Sequence, residues 1–80
     1  MKETLQILIE NIVDEPNLVK ITENVKDNTI NYDVSVSEKD IGRVIGRDGK
    51  MAKSIRTIMK SIASKNRQKV IIEFMENRGN

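Results

Sequence analysis

Residues 41–50 read Ile-Gly-Arg-Val-Ile-Gly-Arg-Asp-Gly-Lys and hold three of the chain's four glycines. Gly46 and Gly49 bracket Arg47 and Asp48, and Lys50 follows at once. A loop of this spacing at the start of a helix leaves backbone N–H groups uncovered. Uncovered N–H groups beside positive side chains suit a phosphate oxygen. The chemistry on offer is the holding of a polyanionic backbone, not the making of bonds.

Other chemistries find little support. The chain has no Cys and no His, which rules out disulfides and the commonest zinc sites. No carboxylate pair stands out beside an apolar groove. Asp40 reads as a helix-start residue and Asp48 as a loop residue, so no enzyme, cofactor or metal is expected. Two phosphate motifs also fail. The P-loop needs a glycine five residues before its Gly-Lys pair and a Ser or Thr after it, but Val44 and Met51 stand there. The dinucleotide fingerprint needs a glycine where Val44 lies, and it follows a strand.

The charge is strongly segregated. Residues 1–38 sum to −5, residues 39–69 to +8 and residues 70–80 to −1, within a total of +2. The positive excess therefore lies around and after the glycine loop, and a nucleic acid is the simplest partner. Eighty residues suit one small domain, expected over 1–76 with a flexible tail at 77–80. No run approaches the roughly 20 apolar residues of a membrane span. Gln6, Glu10 and Asn11 interrupt any leader-like stretch, so a cytoplasmic location is expected.

Several elements must position the loop. Leu5, Leu8, Ile9, Ile12 and Val13 recur at helical spacing, which predicts a helix over 2–14 ended by Pro16. Val19, Ile21 and Val25 suggest a strand, interrupted by Glu23. Asp27-Asn28 signals a turn, and Ile30, Tyr32, Val34 and Val36 alternate with polar residues as a second strand. Ser37 is the expected N-cap of a short helix over 40–45. A long helix over 50–64 and a strand through Val70, Ile72 and Phe74 complete the chain. The class is α+β, in the order helix-strand-strand-helix-helix-strand. The hairpin is antiparallel, and the last strand returns parallel to the second through a helical crossover. A mixed three-stranded sheet with three helices on one face follows.

The long helix carries two stripes. Met51, Ala52, Ile55, Ile58, Met59, Ile62 and Ala63 fall within roughly 140° and predict a buried face, part of which could serve a dimer interface. Lys53, Arg56 and Lys60 fall within roughly 60° on another side. Ile7, Ile71 and Met75 face away from the expected core. With one Tyr, one Phe and no Trp, the chain lacks the aromatic platforms of stacking RNA binders. Tyr32 alternates with the core set of its strand and reads as packed.

Val44-Ile45-Gly46-Arg47-Asp48-Gly49-Lys50, with Ile55 beyond, resembles the signature of the KH domain family, and the element order resembles its type II arrangement. Nearly the whole chain is covered, and the length is similar to that of small bacterial single-KH proteins. The resemblance implies single-stranded RNA as ligand. It also implies self-association as a homodimer, or pairing with a larger KH-containing protein of the Jag/EloR type. A place in post-transcriptional control, as a regulator or RNA chaperone tied to cell elongation and division, is implied too. By the same resemblance, Gly46 and Gly49 let the backbone approach the sugar–phosphate chain. Arg47 and Lys50 meet phosphates. Ile41, Val44, Ile45 and Ile55 offer an apolar floor for bases, or simple core packing. Asp48 departs from what phosphate contact favours. Apart from the resemblance, Arg43 beside the loop and Lys53 and Arg56 on the helix stripe are further basic candidates by charge. The competing reading is a protein–protein adaptor with a KH shape.

Overall fold

The computed structural model describes residues 1–77. Helix α1 spans Lys2–Glu10, strand β1 Lys20–Lys26, strand β2 Thr29–Val36, helix α2 Ile41–Ile45, helix α3 Lys50–Lys65 and strand β3 Lys69–Glu76. Short 3₁₀ turns at Pro16–Leu18 and Arg47–Gly49 precede β1 and α3. The expected α+β order is present.

The sheet runs β1-β2-β3, with β1 antiparallel and β3 parallel to β2. Alternation on β2 buries Ile30, Tyr32, Val34 and Val36. Parallel register places Val70 beside Ile30, Ile72 beside Tyr32 and Phe74 beside Val34. One apolar face results. Leu5 and Ile9 of α1, Val44 of α2, and Ile55, Met59 and Ala63 of α3 pack on it. Glu23 interrupts β1's pattern because it lies opposite Tyr32 on that face. The buried Tyr32 ring sends its hydroxyl to Glu23 Oε2 at 2.9 Å. Burial, with that bond, raises the phenol's pKa above its ordinary value.

Three expectations need correction. Helix α1 ends at Glu10, well before Pro16. Asn11 folds its side-chain amide back onto the Ile7 carbonyl at 2.7 Å, and Ile12 N–H bonds tightly to Ile9 O at 3.0 Å. Ser37 is not the cap of α2; Asp40 holds that position and caps nothing in its own helix. Its carboxylate instead accepts the Asp14 and Glu15 N–H groups, each at 3.0 Å, and the Ser37 hydroxyl at 3.0 Å. Lastly, Met51 and Ile58 are 38% and 43% exposed, although the helical wheel puts them in the buried arc. A three-stranded sheet is too narrow to cover that arc, so contact centres on Ala52, Ile55, Met59 and Ala63.

Of the tail expected at 77–80, residues 78–80 lie outside the described residues. Asn77 N–H bonds to Val36 O at 2.6 Å, and its side chain to Leu18 O at 3.3 Å.

Candidate nucleic-acid interface

The buried Asp40 anchors the approach to the glycine loop. It ties the segment after α1 to the start of α2. The Asp14 N–H, with the Glu15 N–H, the Ser37 hydroxyl and nearby Arg43, holds its carboxyl below the usual aspartate value, against the opposing effect of burial. Val44, fully buried, pins α2 to the core. The short helix therefore delivers Gly46 to a fixed place.

Gly46 turns the chain. Its N–H closes α2 on Gly42 O at 2.9 Å. Its φ of 76° and ψ of 176° lie in a region open essentially to glycine alone. A Cβ there would stand 2.7 Å from Met51 Cβ and 2.8 Å from Met51 N. Asp48 (φ 54°) and Gly49 (φ 73°) then take left-handed conformations, and Gly49 N–H bonds to Gly46 O at 3.2 Å. Gly49 occupies the N-cap of α3 without a side chain to offer. The Lys50 N–H bonds back to Arg47 O, and no side chain caps the N-terminus of this 16-residue helix, beside exposed Arg47 and Lys50.

The remaining candidates divide by surroundings. Ile41 and Ile45 are half-buried at the edge of the core. Val44 and Ile55 are buried outright, so they support the surface from beneath and do not form its floor. Lys53 is exposed, and with Lys50, Ser54, Thr57 and Ile58 it lines a shallow depression along α3. Arg56 is half-buried and committed to β3. Its Nε donates to Ile72 O at 3.1 Å, and its guanidinium stands 5.3 Å from the Phe74 ring centre. Arg43 is committed as well, with Nη2 3.0 Å from Asp14 Oδ2 and Nε 3.7 Å from Asp40 Oδ1. The Asp14 pair is exposed on both sides, where such contacts contribute about 0–1 kcal/mol.

Lys60, which the sequence places in the basic stripe of α3, lines a small cavity with Arg56, Val70, Ile71 and Ile72, where α3 meets β3. Asp14 carries no such signal in the sequence, because its partner Arg43 lies far along the chain. Among the described residues, no helix is long and apolar enough to cross a membrane.

A family model described as KhpA/KhpB, KH domain, matches residues 2–74. The chain is 45% identical over 78 residues to the RNA-binding protein KhpA of Chlamydia pneumoniae, covering 98% of this chain and 100% of the relative. It is 41% identical over 76 residues to the protein of that name from Listeria monocytogenes, covering 95% and 100%. With the protein of that name from Clostridium perfringens, identity is 39% over 75 residues, covering 94% and 100%. A helix–loop–helix carrying Gly46 and Gly49, inside a sheet order of β1-β2-β3, and this agreement along nearly the full length lead to one conclusion: the chain belongs to the KhpA/KhpB family of KH domains.

Proposed function

We propose that this protein binds single-stranded RNA by gripping its sugar–phosphate backbone at Gly46–Lys50. The observation that carries the reading is the Gly46 turn, which presents the start of α3, free of any side-chain cap, beside exposed Arg47 and Lys50. The names of its relatives support RNA as the ligand class. Ile41 and Ile45 supply apolar contact for bases, and Lys53 extends the positive surface. About three phosphate contacts would give a log–log salt slope near −2 for a single strand.

The domain acts in the cytoplasm as a post-transcriptional regulator or RNA chaperone, in processes tied to cell elongation and division. It works as a homodimer, with a larger KH-containing protein of the Jag/EloR type, or both. Exposed Met51 and Ile58 on α3 support self-association and also favour a second reading, a protein adaptor that binds RNA weakly or not at all. Substituting Arg47→Asp and titrating a labelled oligoribonucleotide separates the two. The RNA grip requires at least a tenfold loss of affinity with an unchanged circular dichroism spectrum. Unaltered binding by the folded variant would support the adaptor.

A further inference from the structure

Arg43 stands one turn before Gly46 on the helix that leads into the loop, yet its guanidinium is turned to the chain's own carboxylates. We propose that Asp14 is a built-in competitor for RNA phosphate at Arg43, an inference that rests on the RNA-binding reading above.

Asp14 is placed firmly for this task. Its N–H is held at 3.0 Å by the buried Asp40, and its neighbour Val13 is buried in the core. The carboxylate is thus delivered by an anchored turn. The side chains themselves are free to part: Arg43 is 56% and Asp14 68% exposed. The contact is also incomplete. An Arg fork matches two oxygens of one anion. Here Nη2 meets one oxygen of Asp14 at 3.0 Å, and Nε lies 3.7 Å from an oxygen of a different residue, Asp40. A phosphate offering two oxygens to the fork makes the better match, but it must first displace Asp14. In the parent protein Arg43 therefore adds little to RNA affinity, and Asp14 keeps it from doing so.

The test is a double-mutant cycle of Asp14→Asn and Arg43→Gln, with a fluorescein-labelled single-stranded oligoribonucleotide as probe, titrated over a range of salt. Asp14→Ser serves as a second variant at the same site. Glu38→Gln removes one exposed charge elsewhere as a control. Asp14→Asn should tighten binding about threefold or more at low salt and steepen the log–log salt slope by about 0.7, the signature of one added phosphate contact. Arg43→Gln alone should stay within about twofold of the parent, and the double variant should match it. Three results overturn the inference: no gain from either Asp14 variant, a large loss from Arg43→Gln alone, or a gain that survives in the double variant or equals that of Glu38→Gln. The underlying reading fails separately. If the parent and the Asp14 variants bind no RNA, both ideas fall. If Arg47→Asp abolishes binding while the Asp14 variants gain nothing, only this one does.

Discussion

A Cβ on Gly46 would stand 2.7 Å from Cβ of Met51, inside the first turn of α3. The start of that helix and the end of α2 can approach so closely only because residue 46 has no side chain. At Gly49 a Cβ would meet nothing within 4 Å. The two glycines of the loop therefore have different duties. Gly46→Ala combines the clash with a backbone region that costs roughly 1–3 kcal/mol for other residues. It should destabilise the domain by more than that. Gly49→Asn needs only a left-handed residue, which Asn tolerates, and should cost less than about 1 kcal/mol. Urea denaturation of the two variants gives the comparison. Equal losses would mean that the close approach to Met51 is unimportant.

Asp40 joins segments distant in sequence, since the Asp14 and Glu15 amides it holds lie 26 and 25 residues away. Its carboxyl is held below the ordinary aspartate value of 3.8, most strongly by the Asp14 N–H. A lowered folded-state pKa stabilises the fold fully above the unfolded value. That stabilisation fades as pH falls below 3.8 through the folded value. Asp40→Asn should thus lower the urea midpoint at pH 7, because a single amide oxygen cannot accept what two carboxylate oxygens did. It should also flatten the loss of stability as pH falls below 3.8 relative to the parent. Parallel acid curves for the two proteins would show that the Asp40 bonds do not govern acid stability.

Helix α3 ends with Gln68 N–H on Ala63 O at 2.9 Å and Arg67 N–H on Ser64 O at 3.0 Å. That pattern demands a left-handed residue after the cap, and Arg67 supplies it with φ 57°. Glycine usually stands there, since a Cβ in that conformation costs about 1–2 kcal/mol. Arg67→Gly should relieve most of this cost and raise the thermal midpoint by about 4 °C or more, given the small size of the domain. An unchanged or lower midpoint, followed by circular dichroism, would show that Arg67 carries no such strain.

These cases mark what the sequence could and could not disclose. The alternation of Ile30, Tyr32, Val34 and Val36 is a local pattern, and it appears intact in β2. The Gly46–Gly49 spacing is local too, and the turn is where it was expected. The helical cap at Arg67 was invisible because arginine does not announce a left-handed conformation. Asp40's partners are backbone amides, which carry no residue-type signal. The wheel of α3 identifies apolar residues but not the width of the sheet beneath them, so Met51 and Ile58 lie in its apolar arc and yet stand exposed. For the loop, the structure adds the reason Gly46 must be glycine and the carboxylates that face Arg43.

The four apolar residues around the loop separate by burial into two pairs, and each pair should respond differently to truncation. Ile55 is 2% exposed and packs with Val44 in the central cluster. Ile55→Ala should cost roughly 2–5 kcal/mol, comparable to the whole stability of a small domain. Its loss of RNA binding should follow the fraction unfolded and recover when the sample is stabilised with an excluded osmolyte. Ile45 is half-buried beside Gly46 and packs only against the margin of the core. Ile45→Ala should cost less stability, and, on the proposed role of Ile45 as a base contact, its loss of affinity should persist in osmolyte. Binding isotherms for both variants, with and without osmolyte, provide the check. Recovery of Ile45→Ala to parental affinity would place that side chain with Ile55, as support and not contact.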